Sequence, residues 1–225
     1  MTRKNARNLT ASLPLRLSGL VAGVDEAGRG PLAGPVMAAA VILDPQVRVR
    51  GIRDSKLIEP QEREELAVKI KARALAWAVA WADVEEIDTL NILQATHLAM
   101  RRALLGLSLR PAHVQIDGDR CPSFVGLGLE CTFEAIIAGD ASHRCIGAAS
   151  ILAKTTRDAL MIRLDRLYPS YGFAIHKGYG TPQHCEVLQS LGPSPIHRRS
   201  FEPVRRALPA VLIPATPAVE CEVVL

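Results

Sequence analysis

The sequence predicts an α/β fold, a mixed sheet with helices packed around it, and three observations predict it. Short apolar runs recur at residues 19–25, 36–43 and 113–117, the stretch ALAWAVAW alternates with period two, and several longer segments carry apolar residues at helical spacing. With 225 residues, 48% of them apolar and 22% charged, the chain is long enough for one domain with a sizeable core and has an ordinary globular composition. No apolar run approaches the roughly 20 residues that a membrane-crossing helix needs. The longest, PLAGPVMAAAVIL, is broken by proline and glycine.

Taken in order, residues 19–25 and 36–43 read as two strands joined through GRGPLAGP, a turn marked by glycine and proline. LIEPQEREELAVKIKARA, residues 57–74, reads as a helix: Pro60 falls near its first turn, with acids early and basic residues late, as the helix dipole prefers. In ALAWAVAW, Leu75, Trp77, Val79 and Trp81 alternate with alanines, which predicts a third strand and puts both tryptophans on one face, in the core. Residues 88–107 predict a single helix, with Leu90, Leu93, His97, Met100, Leu104 and Leu107 at helical spacings. HVQID (113–117) and TFEAIIAGD (132–140) predict the last two strands, each ending in an Asp. AASILAKTTRDALMIRLDRL is the longest helical pattern and stops at Pro169. In TPQHCEVLQSLG, Thr181 is an N-cap, Pro182 the first helical residue and Gly192 the stop.

Both ends read as tails. Residues 1–18 are basic and free of acids, a composition that a transit peptide shares, and residues 209–225 hold three prolines and no period. The five cysteines are odd in number and form no CxxC pair, which argues against a zinc knuckle or a disulfide framework and for reduced thiols in the cytoplasm. The net charge of +4 suits a polyanionic partner without specifying one.

Three of the predicted strands end in acids: Asp25 with Glu26, then Asp117, then Asp140. Ligands collect at the carboxyl ends of strands in open α/β sheets. Taken singly, each acid reads equally as a cap or a solvated strand end. Gathered, four carboxylates would repel one another unless cations neutralised them. An all-oxygen donor set points to Mg²⁺ or Mn²⁺ rather than zinc. It suits phosphodiester hydrolysis with two ions about 4 Å apart, one acidifying the attacking water and the other stabilising the leaving oxygen. Adjacent strand residues point to opposite faces. Asp25 and Glu26 therefore share a site only if the chain turns at Glu26 or Glu26 offers its backbone carbonyl. The GxxxxGR from Gly23 to Arg29 lacks the Lys-Ser/Thr of a P-loop, IDGDRCP is too short for an EF-hand loop, and no GxSxG is present.

GVDEAGRGPLAGPV, DSKLI, IDGDRCP, AGD followed by AASILAKTTRD, YGFAIHKGYGT and HRRSFEPV stand in the order in which bacterial type 2 ribonucleases H (ribonuclease HII) carry them. The chain resembles that family from about residue 19 to 208. The resemblance implies a ribonuclease-H-like five-stranded mixed sheet flanked by helices, with a small C-terminal helical segment, in a catalytic domain over 19–208. It implies a metal-dependent endonuclease that hydrolyses the RNA strand of RNA–DNA hybrids. It also implies cutting 5′ of single ribonucleotides embedded in duplex DNA, leaving 5′-phosphate and 3′-hydroxyl ends.

By the same resemblance, Asp25, Glu26 and Asp117 match the main Mn²⁺ or Mg²⁺ site and Asp140 the ligand of a second ion. Gly28, Arg29 and Gly30 match the segment whose backbone approaches the ribose at the cleavage junction, and the 2′-hydroxyl is what separates RNA from DNA there. Tyr179 matches the ring that packs on the next sugar, and Ser55 and Lys56 look like phosphate contacts. Lys154 faces nucleic acid in the family, although an i, i+4 ion pair with Asp158 explains it equally well. His176, His184 and His197 read as structural or phosphate-adjacent, since a metal-activated water needs no histidine base. His197, Arg198 and Arg199, with Arg205 and Arg206, read either as a track for a duplex backbone or as an ordinary surface cluster. The implied partners are RNA–DNA hybrid and ribonucleotide-containing duplex DNA, with no membrane, acting as a cytoplasmic monomer. One departure is visible: many bacterial relatives carry Lys where this chain has Ala138, just before Gly139-Asp140. The related type 3 enzymes lack the GRG run. A hybrid-binding protein without catalysis would not need all four acids, and a Holliday-junction nuclease would not need GRG or KGYGT.

Overall fold

The computed structural model describes residues 19–52, 55 and 58–208; the predicted tails at 1–18 and 209–225, and Lys56, lie outside the described residues. The five strands are β1 (Val21–Ala27), β2 (Val36–Leu43), β3 (Ala74–Ala82), β4 (His113–Asp117) and β5 (Thr132–Ile136). They form one mixed sheet, the five-stranded architecture that the resemblance implies, in the order β3-β2-β1-β4-β5. β1, β2 and β3 pair antiparallel, while β4 is parallel to both β1 and β5. The first two connections are thus local, and the chain then crosses to the other side of β1.

The helices are α1 (Pro60–Arg73), α2 (Val84–Leu90), α3 (Ile92–Leu105), α4 (Gly139–Ser142), α5 (Arg144–Asp165), α6 (Phe173–His176), α7 (Pro182–Leu191) and α8 (Glu202–Arg206). The helix predicted over 88–107 is in fact two. Asn91, at φ 69°, ends α2, and its side chain then accepts from the N–H groups of Leu93 and Gln94 to start α3. Asp83 and Glu86 form a reciprocal capping box at the start of α2. The boundaries of α7 fall where predicted, with Thr181 accepting from the His184 N–H.

Each face of the sheet carries its own core. On one face, Ala22, Val24, Ala38, Ala40 and Ala76 pack with Ala95, Ala99, Met100 and Leu104 of α3. Alanine on both surfaces brings α3 close to the strands: a Cβ added at Gly106, just past α3, would stand 3.1 Å from the Ala78 Cβ. This close packing overturns the expectation for the tryptophans. Alanines turn to α3, so Trp77 and Trp81 lie on the opposite face of an edge strand, where they are 38% and 55% exposed rather than in the core. Trp77 is held there by Lys71, whose carbonyl accepts from its indole and whose ammonium lies over its ring.

On the second face, Ala39 and Val41 pack with Ala148, Ala149, Ile151 and Leu152 of α5 and with Leu66, Ala67 and Ile70 of α1. The first turn of α5 is seated directly on β1 at Gly23, where a Cβ would lie 2.1 Å from the carbonyl carbon of Cys145. A side chain there would have to move the helix backbone. Gly23→Ala should therefore cost at least about 3 kcal/mol of unfolding free energy, at the upper end of overpacking. Urea denaturation measures it, and a loss under about 1 kcal/mol would mean that α5 is free to shift off β1.

Candidate active site

The β1–β4 ladder ends at the pair Val24 and Ile116, so Asp25 and Asp117 are the next residues on two adjacent parallel strands. Val24 and Ile116 both point into the α3-side core. Alternation then turns Asp25 and Asp117 together to the α5 face, and Glu26 to the α3 face. The chain does not turn at Glu26, because β1 continues to Ala27 and pairs with β2 throughout, Glu26 opposite Ala38.

Neutral donors hold the acids. Asp25, buried, is hydrogen-bonded to Ser150 of α5 and accepts from the Glu26 N–H at 2.6 Å. Asp117 accepts from the Gly139 N–H at 2.8 Å. Burial pushes the Asp25 carboxyl well above the usual carboxylate range, and repulsion from Glu26 and Asp117 adds to it. Burial raises Glu26 as well, Asp117 adds to that, and Arg29, 3.4 Å away, opposes it. Among the described residues, no three His, Cys, Asp or Glu side chains form a metal-sized group. The divergence of Asp25 and Glu26 across β1 accounts for that.

An open cleft of about 430 Å³ lies over these acids, and its lining contains nine of the eleven predicted site residues: Asp25, Glu26, Gly28, Arg29, Gly30, Ser55, Asp117, Lys154 and Tyr179. Lys56 lies outside the described residues. Asp140 is not in the lining and not at a strand end: β5 stops at Ile136, Ala138 adopts the left-handed conformation at φ 52°, and Asp140 sits buried on α4. That turn is what lets Gly139 reach Asp117.

Residues 22–204 match the ribonuclease HII family. The chain belongs to that family. It is 57% identical over 189 residues to ribonuclease HII of Bordetella pertussis, covering 84% of this chain and 92% of that one. Ribonuclease HII of Laribacter hongkongensis is 58% identical over 188 residues, covering 84% and 93%. Among solved structures, ribonuclease H2 of Pyrococcus horikoshii superposes with a TM-score of 0.72 at 33% identity, over 83% of this chain and 96% of that one. As a ribonuclease HII, the protein is a metal-dependent endoribonuclease that cuts the RNA strand of RNA–DNA hybrids.

Around the ribonuclease HII cleft stand residues that the motifs did not single out. Ser55 is buried, and its hydroxyl is 2.9 Å from that of Ser150, so it backs Asp25 at one remove. Arg63 donates to the Ser55 carbonyl at 2.7 Å and lies 3.6 Å from Asp158. Lys154 makes its expected bond to Asp158 at 2.8 Å, and its ammonium also sits 5.9 Å from the Tyr179 ring centroid on the cleft wall. Ser150, Lys154 and Arg157 recur at helical spacing along α5, flanking the buried apolar run Ile151–Ala153. That polar stripe was the available signal. Arg198 does not belong to a basic surface cluster: it is fully buried, while Arg205 and Arg206 pair with Glu202.

His184 and His197 form a buried relay behind Tyr179, and the His176 ring stacks on His184 at 4.3 Å. Ser194 N–H donates to His197 Nδ1 at 3.0 Å, which leaves the proton on Nε2 to be given to His184 Nε2 at 3.0 Å. His184 Nδ1–H then donates to the Tyr179 carbonyl at 2.8 Å. Burial lowers His184, and burial with the neighbouring His184 lowers His197 from 6.5 to about 4. The unfolded chain therefore takes up the His197 proton first, and the stability contributed by this residue is lost as pH falls from about 6.5 towards 4. The loss should reach about 2 kcal/mol by pH 5 and about 3 kcal/mol by pH 4. Denaturant unfolding of His197→Gln should give a flatter acid limb by about that amount. Parallel limbs for variant and parent would show that His197 does not carry the effect.

Proposed function

We propose that the protein also cuts 5′ of single ribonucleotides embedded in duplex DNA. In both reactions hydrolysis would use two Mn²⁺ or Mg²⁺ ions and leave 5′-phosphate and 3′-hydroxyl ends. The observation that carries this reading is one cleft with two walls: Asp25 and Asp117 side by side at strand ends on one, and Gly28–Gly30 with Tyr179 on the other. The donor set fits hard divalent ions, being all oxygen, with the buried Asp25 carboxylate repelled by its acidic neighbours. Such ions supply an acidified water and a counter-charge for the departing 3′ oxygen.

The chain's own residues do the positioning. Asp25 and Asp117 serve by their side chains from the α5 face, each fixed by the neutral donors described above. Glu26, extended and facing away, serves through its main-chain carbonyl, and Asp140 serves the second ion from α4. Backbone N–H groups of the 28–30 segment meet the ribose 2′-hydroxyl, and the Tyr179 ring packs on the following deoxyribose. Lys154 offers its ammonium to phosphate, and Ser55 acts through Ser150. On this reading the protein acts as a monomer in the cytoplasm, where its hybrid substrates arise.

Asp117→Asn should abolish cleavage while binding of hybrid is unchanged or tighter, because a charge that repels phosphate is removed. Near-parental turnover would take Asp117 out of the mechanism. Tyr179→Ala, whose ring is largely exposed, should lower cutting at a single embedded ribonucleotide about tenfold or more with little change in melting temperature. Parental activity on that substrate would sink the sugar-packing role. The reading as a whole is tested on a duplex with one ribonucleotide, with and without Mn²⁺. No cut 5′ of it, or equal cutting of an all-DNA duplex, would overturn it.

A further inference from the structure

Behind the cleft-facing segment 28–35 lie two buried arginines whose hydrogen bonds all run to main-chain carbonyls. Arg157, 1% exposed, donates to Pro35 at 3.0 Å, Ala33 at 3.1 Å and Lys177 at 3.0 Å. Arg198, fully buried, donates from Nε to Gly34 at 2.9 Å, from Nη1 to Arg29 at 2.8 Å and from Nη2 to Gly28 at 2.6 Å. Its guanidinium also lies 5.1 Å from the Phe201 ring. Five carbonyls of one eight-residue segment, those of residues 28, 29, 33, 34 and 35, are thus taken from behind by two side chains.

This fixes the direction of the opposite groups. Peptide units are planar and trans, and among the described residues none is cis. A Gly28 carbonyl aimed at buried Arg198 therefore aims the Arg29 N–H the other way, and the Arg29 carbonyl does the same for the Gly30 N–H. The other way is the cleft, which Gly28, Arg29 and Gly30 line. Gly28 is a glycine on account of the clamp: it sits at φ +96°, and a Cβ there would lie 2.0 Å from Arg157 Nε. At Gly30 the nearest atom to an added Cβ is Tyr179 Cε1 at 3.7 Å, an ordinary contact. The crowding is behind the segment, not in front of it.

We propose that Arg198 is a positioning residue that sets specificity for a 2′-hydroxyl, by holding the carbonyls of Gly28 and Arg29 so that the N–H groups of Arg29 and Gly30 face the sugar. The proposal rests on the reading of 28–30 as the ribose-facing segment. A fork of donors in one plane can serve three carbonyls in fixed directions, which the single ammonium of a lysine cannot do. DNA, lacking the 2′-hydroxyl, gains nothing from the two N–H groups.

The test compares binding of an RNA–DNA hybrid with that of an all-DNA duplex of the same sequence, in EDTA, by competition anisotropy. Arg198→Lys should cut the preference for hybrid about tenfold, the worth of one to two hydrogen bonds, and leave affinity for the all-DNA duplex within about twofold. Arg157→Lys loses as much buried bonding but leaves the Gly28 and Arg29 carbonyls held, so it should lose thermal stability and keep the preference. A merely structural role for Arg198 predicts that the two variants behave alike, and that result overturns the proposal. So does a folded Arg198→Lys with parental preference. Should Arg198→Lys fail to fold, Phe201→Leu removes the ring on which the guanidinium lies. A preference reduced about threefold supports the clamp, and an unchanged one overturns it. A parent with no preference for hybrid would instead overturn the ribose reading itself, which separates the two failures.

Discussion

Asp25 and Asp117 stand one residue past the last β1–β4 pair, still paired to β2 and β5 on their outer sides, on adjacent parallel strands and on the same face, so the fold cannot keep their charges apart. Strands stand about 4.8 Å apart. Two like charges at about that spacing repel by about 3 kcal/mol at an effective dielectric constant of about 20. The protein does not relieve this with an arginine between them. It supplies neutral donors instead: the Ser150 hydroxyl, the Glu26 N–H and the Gly139 N–H. These orient the carboxylates without cancelling their charge, so the demand for a cation is left for a ligand to meet. Whatever ion meets it binds the folded chain alone and stabilises it by mass action.

The cations close to the cleft are engaged elsewhere. Lys154 is tied to Asp158, Arg63 to Asp158 and the Ser55 carbonyl, and Arg157 and Arg198 to carbonyls of the 28–35 segment. Their positive charge still contributes to the field around the site, which favours a polyanion, yet none neutralises the Asp25–Asp117 pair. Separating the two jobs follows from burial. A guanidinium sunk among carbonyls is desolvated at a cost, and that cost, with repulsion from Arg157 adding to it, lowers Arg198 to about 9. Its position is then set by three directional hydrogen bonds along the segment rather than by an ion pair that salt could loosen.

How much of this could be read beforehand depended on whether the cause was local. The strand end at Asp117 and the cap at Thr181 follow from alternation and from nearest-neighbour chemistry, and both were legible, whereas β1 runs two residues past the end expected at Asp25. The break at Asn91 has a local cause as well, a positive φ and a capping amide, but the apolar spacing on either side runs through it and masked the stop. The exposure of Trp77 and Trp81 was not legible, because alternation gives two faces and cannot say which one α3 will cover. Alanines won the buried face because only they allow that close approach. Asp140 on a helix rather than a strand end came from the left-handed turn at Ala138, a residue type that rarely makes one. Arg198 was least legible of all. In HRRS nothing local separates it from the exposed Arg199 beside it, and only the long-range return of the chain onto the 28–35 segment buries it.

That return also ties the two cleft-lining segments to each other. Leu32 N–H donates to the Gly178 carbonyl at 2.7 Å, Arg198 N–H to the Leu32 carbonyl at 2.9 Å, and Gly34 N–H to the Ile196 carbonyl at 2.8 Å. Arg157 bridges Ala33 to Lys177, and the histidine relay fixes the Tyr179 carbonyl on its far side. GRG and KGYGT are thus one cross-linked unit, not two loops that must find each other around a substrate. Telling a ribose from a deoxyribose depends on a single oxygen, and a donor misplaced by about 1 Å forfeits most of that bond. Ordering the segments during folding removes that entropic cost from the binding step. The clamp behind the loop and the discrimination in front of it are therefore the same requirement, met from two sides of one peptide plane.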